Sequence, residues 1–378
     1  MQPAYPVIEA ISQRLESFAA QRREEATPLG PEAELLAGHA VATLRGGKRL
    51  RARFCWWGWR AVAGAVDAHD GAHHDADERA AIGVCAALEI FQAAALVHDD
   101  LIDNSDTRRG RPSAHRALEA DHREQGWSGR ADAFGRAGSL LLGDLLVAWS
   151  DDLLEESLAL VGDAPQAERR DRDRVAAARA EYARMRRDVT MGQFLDIAEE
   201  SAWSVAPDDA HAERALRIAS YKSARYSVQQ PLVIGAALAG GRERHLEALR
   251  SFGHPLGMAF QLRDDVLGVF GDAAVTGKPA GDDLREGKRT ALVALARPRL
   301  ARSDRERFDE LLGAPDLSDA DVGGLRAMIQ ESGALDEVER LIASYARDAD
   351  EALAAADLAP DVSEQLRELA RAATHRRS

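Results

Sequence analysis

The chain has 378 residues, 46% of them hydrophobic but only 5% aromatic, and a formal net charge of −14. That length supports a sizeable core, as one large helical domain or two smaller ones, and the preference for aliphatic over aromatic residues favours helices over sheets. The acidic balance excludes a nucleic-acid strand as the natural partner, and two cysteines, Cys55 and Cys85, exclude a disulfide scaffold and point to a reducing cytoplasm. Glu9, Arg14 and Glu16 interrupt the N-terminal region, so no signal peptide is expected. The most apolar segment, 81–97, contains Glu89 and Gln92 and is too short to cross a bilayer, which predicts a core helix and not an integral membrane protein.

Apolar residues at helical spacing predict helices over 7–24 and 31–45, with a break at Thr27–Pro31. The second helix runs into Gly46-Gly-Lys-Arg-Leu-Arg51, and 52–66 continues as a helix carrying Trp56, Trp57 and Trp59. The polar stretches 67–78, 121–133 and 162–174 read as loop insertions. Between the first two, a long apolar run starting near Ala80 ends in Asp99, Asp100 and Asp103, followed by the basic, turn-rich segment Asn104–Pro112. Further helices are expected over 136–161, 175–200, 211–239 and 245–270, and over 290–372 with breaks near Pro298, Pro315 and Pro360. No strand-like alternation and no fixed repeat appears, so the predicted fold is all-α, one domain over residues 1–378.

The chemistry concentrates at two helix ends. On a helix, Asp99 and Asp103 are four apart and Asp100 and Asp103 three apart, which stacks carboxylates on one side above an apolar face. Such carboxylates repel one another and need cations, and Mg2+ shared with substrate phosphates is the natural partner. A second acidic cluster, Gln261-Leu-Arg-Asp264-Asp265, ends another apolar helix, and the two clusters are expected to face each other across a pocket mouth. Gly46–Arg51 and Thr107-Arg108-Arg109-Gly110-Arg111 supply cations for a second anion site, since Lys and Arg hold phosphates directly. One phosphate group on metal and another on cations implies two phosphorylated substrates meeting over an apolar cavity.

These motifs, in this order, resemble the trans-isoprenyl diphosphate synthases, or polyprenyl synthetases, over residues 30–300. The motifs are Gly46–Arg51, Asp99–Asp103 with Arg108-Arg109-Gly110, Gly192-Gln-Phe-Leu-Asp196, Lys222-Ser223, and Gln261–Asp265 followed by Gly277-Lys278 and Gly281-Asp282. The resemblance implies an all-helical bundle around a deep central cavity, about three Mg2+ ions, and a homodimer. It implies that Asp99, Asp103 and Asp264 ligate the metals, with Asp100 and Asp265 as nearby carboxylates. Arg108, Lys222 and Lys278 would hold an allylic diphosphate, and Lys48, Arg51, Arg109 and Gln92 isopentenyl diphosphate. Ser223, Gln193, Asp196 and Gln261 would line the reacting centre. Three departures stand out: Gly268 where the second cluster usually has its third Asp, Ala52 where a Pro often follows the basic motif, and Ser223 in place of Thr. Asp272 or Asp282 is a candidate to compensate for Gly268.

Product length should be set by residues below Asp99. Small Ala94 and Ala95 argue against the shortest, ten-carbon product, with Phe91, Leu88 or Trp149 further down as candidate floors. The two-residue gap within Asp99–Asp103 leans toward geranylgeranyl diphosphate, with farnesyl or longer diphosphates open. A terpene cyclase would need no second diphosphate site, and a non-catalytic regulatory subunit has Gly268 as its only support.

Overall fold

The computed structural model describes residues 5–64, 71–164, 167–271 and 281–374. The fold is all-α: α1 (Tyr5–Ala26), α2 (Pro31–Thr43), α3 (Leu50–Ala63), α4 (Gly71–Ile102), α5 (Ala114–Glu124), α6 (Ala131–Gly162) and α7 (Arg169–Ala202) are followed by α8 (His211–Ile218), a π-helical segment (Ala219–Gln229), α9 (Gln230–Leu238) and α10 (Glu243–Phe270). The C-terminal elements are α11 (Asp282–Arg285), α12 (Ala291–Ala296), α13 (Arg302–Leu311), α14 (Asp319–Glu331), α15 (Ala334–Ala355) and α16 (Pro360–Thr374). The strands seen among the described residues, β1 (Thr107–Arg108) and β2 (Arg111–Pro112), form a two-residue hairpin. Its turn places Arg109 (φ 53) and Gly110 (φ 71) in the left-handed region, as a type I′ turn demands.

By packing, the chain divides into two compact units, one of residues 1–177 and 235–240, the other of 178–234 and 241–378. In the first, α4 packs most extensively against α6. Val84, Leu88, Ile90 and Phe91 of α4 and Leu142, Leu146 and Leu153 of α6 are buried, and Ser150 Oγ donates to the Ala87 carbonyl at 2.9 Å. Residues 75–102 are long and apolar enough to span a membrane, but 78% of the most apolar window is buried, so α4 is a core helix. In the second unit, Leu262, Val266 and Val269 of α10 share a core with Leu284, Leu292, Phe308, Leu325, Val338 and Ile342.

Several boundaries differ from the sequence expectations. Residues 121–124 finish α5, so that interruption shrinks to 125–130, and 169–174 already belong to α7. Helix α4 starts at Gly71, inside the expected 67–78 loop, while 67–70 lie outside the described residues. The C-terminal region breaks also at Gly333 (φ 74), between α14 and α15, where glycine stops a helix without strain. The expected single helix over 211–239 is interrupted by the π segment, a widening of the backbone that apolar periodicity does not reveal.

Candidate active site

The first unit carries an acidic and a basic group of side chains. Helix α4 ends where Asn104 takes φ 53, and the Asp103 N–H closes the last turn on the Asp99 carbonyl at 2.8 Å. Asp99 and Asp103 are half-buried, whereas Asp100 is only 3% exposed. A helix turns about 100° per residue, so adjacent aspartates face different surroundings. Asp100 turns inward and is held by the guanidinium of Arg108, whose Nε donates at 2.8 Å and whose Nη2 also donates to it and lies 3.7 Å from Asp99. The hairpin therefore fixes Arg108 beside the outward aspartates through a buried carboxylate.

Arg109, the next residue, serves the basic group. Gly46 (φ 75), Gly47 (φ 93) and Arg49 (φ 51) fold the loop before α3 into a tight left-handed turn, and the Arg109 guanidinium lies directly over Gly47. A Cβ at Gly47 would sit 3.3 Å from Arg109 Nη2. Buried Glu89 of α4 anchors this loop, accepting from the Ala52 N–H at 3.1 Å and from Arg49 at 3.5 Å. Burial first, and then the neighbouring Arg108, Arg49 and Arg51 charges, lower the Arg109 pKa, against the opposing pull of Glu89. Lys48 is exposed and Arg51 half-buried. This concentration of guanidinium groups is a ready anion site. Glu89 is the positioning residue that sequence reasoning missed; its only signal was a charge inside the most apolar helix.

Below Asp99, helix azimuth separates the expected chain-length residues. Ala95 lies about 40° from Asp99 around the axis, and Ala94 about 140°. Consistently, Ala95, Gln92, Asp99 and Asp103 are partly exposed, while Ala94 is 0% exposed. Ala94 thus belongs to the packed side of α4. Beyond Gln92, Leu88, 0% exposed, is the first large apolar side chain back on the Asp99 azimuth, about 16 Å down the helix, and Phe91 lies to one side. Trp149 packs edge-on against Phe18 of α1.

In the second unit, Lys222 Nζ pairs with Asp196 at 2.5 Å, which joins the Gly192–Asp196 motif to Lys222-Ser223. The reason for Gly192 is backbone approach: a Cβ there would lie 2.6 Å from Tyr221 C and 2.7 Å from Lys222 Cα. On α10, Asp264 is half-buried and Asp265 buried, accepting from Gln261 Nε2 at 2.7 Å. Burial, then the Asp283 charge, then Asp264 and Asp196, push the Asp265 carboxyl up to about 8, against the Gln261 hydrogen bond. Ser223 and Gln193 are half-buried. Lys278, Gly277 and Asp272 lie outside the described residues.

The sequence profile of the polyprenyl synthetase family matches residues 33–329. The chain belongs to the polyprenyl synthetase family. It is a prenyltransferase, and therefore a transferase. It is 30% identical over 317 residues to the geranylfarnesyl diphosphate synthase of Aeropyrum pernix, covering 83% of this chain and 86% of that one. It is 28% identical over 303 residues to a short chain isoprenyl diphosphate synthase of Methanothermobacter thermautotrophicus, covering 78% and 76%. Among solved structures it is similar to a geranylgeranyl pyrophosphate synthase from Corynebacterium glutamicum complexed with isoprenyl diphosphate and magnesium, at 36% identity, TM-score 0.89 and full coverage of both chains.

The donor sets of this polyprenyl synthetase fit magnesium. They are hard carboxylate oxygens, and among the described residues no three His, Cys, Asp or Glu side chains form a ready cage. Mg2+ usually binds one or two protein carboxylates and completes its shell with water and phosphate.

Two outcomes follow. Gly192→Ala, which drives a methyl into the Lys222 backbone, should cost about 1–3 kcal/mol in urea denaturation. Asp265 binds its proton in the folded state from its ordinary 3.8 up to about 8, while the unfolded chain does not. Its contribution to the stability of the metal-free protein therefore falls as pH rises through that window, and Asp265→Asn should flatten the slope in thermal melts taken across it.

Proposed function

We propose that this chain is a Mg2+-dependent, trans, short-chain isoprenyl diphosphate synthase that condenses isopentenyl diphosphate with an allylic diphosphate, with geranylgeranyl diphosphate as product. We propose further that both units work as one polyprenyl synthase domain over residues 1–378, in the cytoplasm. The observation that carries the reading is the basic loop Gly46–Arg51 with Arg109, held in the same unit as the Asp99 and Asp103 carboxylates. A cyclase acting on one diphosphate has no use for that separate anion site.

Asp99, Asp103 and Asp264 would hold about three Mg2+ ions. When bound, the ions supply Lewis-acid charge against the leaving diphosphate. Asp100 and Asp265, both turned inward, position rather than ligate: Asp100 steadies Arg108, and Asp265 takes the Gln261 amide. Arg108, Lys222 and Lys278 hold the allylic diphosphate, so the carbon–oxygen bond breaks toward a group already surrounded by cations. Lys48, Arg51, Arg109 and Gln92 hold isopentenyl diphosphate, whose double bond forms the new carbon–carbon bond to the allylic cation. The departed diphosphate takes the proton that restores the double bond. The dipoles of Gln193, Gln261 and Ser223, with Asp196 behind Lys222, line the cation's path, and excluding water prevents its capture as an alcohol. The growing tail follows the Ala95–Gln92 side of α4, with Leu88 as floor. A homodimer is also proposed; Leu140 and Leu141 of α6, 50% and 59% exposed, offer it apolar surface.

Incubation of the purified chain with labelled isopentenyl diphosphate, each allylic starter and Mg2+, with products sized by chromatography, should yield C20 chains. A purified chain that incorporates no label is a regulatory subunit instead. Ala95→Phe should shorten the product. Ala94→Phe should cost about 1–3 kcal/mol of stability by overpacking, without a specific shortening. An unchanged product from Ala95→Phe would mean that the tail takes another route.

A further inference from the structure

The second acidic cluster lacks its last carboxylate, because Gly268 stands there. Asp264 and position 268 are four apart on α10, the spacing that sets Asp103 one turn beyond Asp99 on α4. The space a side chain at 268 would take is filled from elsewhere. A Cβ built on Gly268 would collide with Cγ and Oδ2 of Asp283 and lie 2.9 Å from its Oδ1. Asp283 is firmly placed: α11 starts at Gly281 (φ 79), Leu284 is 0% exposed, the Gly313 N–H donates to the Leu284 carbonyl at 3.0 Å, and the Lys288 N–H donates to the Asp283 carbonyl at 2.9 Å. Asp282, adjacent on the same turn, points about 100° away.

We propose that Asp283 supplies from α11 the third carboxylate of the second acidic cluster, with Gly268 kept small to admit it. The assignment rests on the proposed metal-dependent function. It makes Asp283 a positioning residue that steadies the hydration shell of the ion held by Asp264. It also reads Gly268 as half of a relocated pair and not as a lost ligand.

The test is calorimetric titration of Mg2+ into the full chain at fixed inorganic pyrophosphate. Asp283→Asn, which keeps shape and removes charge, should raise the half-saturating Mg2+ concentration about tenfold, the scale for partners one step behind a metal ligand. Gly268→Ala should do the same by displacing Asp283. The swap Gly268→Asp with Asp283→Ala should return within about threefold of wild type, a rescue that a merely structural role would not give. Melting curves confirm that each variant is folded. Wild-type Mg2+ dependence in folded Asp283→Asn would overturn the assignment alone. A wild-type chain showing no Mg2+-dependent pyrophosphate binding would overturn the proposed function and this assignment with it.

Discussion

The turn of the α-helix, about 100° per residue, is the constraint on which both acidic clusters depend. Two consecutive aspartates therefore face different surroundings. Each pair is split into an outward member, Asp99 or Asp264, and an inward one, Asp100 or Asp265. The inward carboxylates would be costly to bury alone. Asp100 is compensated by a guanidinium that must stand beside the outward carboxylates to reach it. Asp265 accepts an amide hydrogen bond from Gln261 among other acids, and it keeps its proton to unusually high pH. The same geometry gives one pair a charge-balanced base and the other a base surrounded by acids.

Backbone proximity is the second means of placing charge. The Lys222 main chain reaches α7 only because residue 192 has no side chain, and it does so inside a π-helical stretch. On the far side of that stretch, Gly257 of α10 leaves no room for a Cβ against the Ala224 main chain. Widened turns are uncommon, and this one is closely packed on both sides. Lys222 is thereby aimed at Asp196 from a rigid element. In the first unit a left-handed loop performs the same task for Lys48 to Arg51, with Glu89 as its tether.

Fold class, and the motifs that make up the candidate site, were legible in the sequence because both rest on local spacing. Apolar periodicity located the long helices, and ordered motifs identified the family. What escaped depends on contacts between distant residues. The tether at Glu89 and the role proposed for Asp283 follow from which backbones approach them, and no spacing within a motif encodes that. Ala94 and Ala95 look equivalent as letters but lie about 100° apart on the helix, and only one shares the Asp99 side. The π segment was invisible because its residues suit an ordinary helix; the glycines that lie against it, Gly192 and Gly257, belong to neighbouring elements.

A chain with a net charge of −14 nevertheless gathers cations where anions would bind, and it does so by pairing them with buried or half-buried acids. Arg108 with Asp100, Lys222 with Asp196 and Arg49 with Glu89 are poor candidates for stabilising the fold, since desolvation offsets much of the attraction in such pairs. Their effect is positional. A guanidinium is a planar fork of N–H donors, and the two bonds from Arg108 to Asp100 fix the orientation of that fork beside Asp99. The acids also relieve repulsion among neighbouring guanidinium groups before any ligand arrives, as Glu89 does for Arg109. Under the proposed function, an incoming diphosphate would meet cations already oriented, with little entropy left to lose in ordering them.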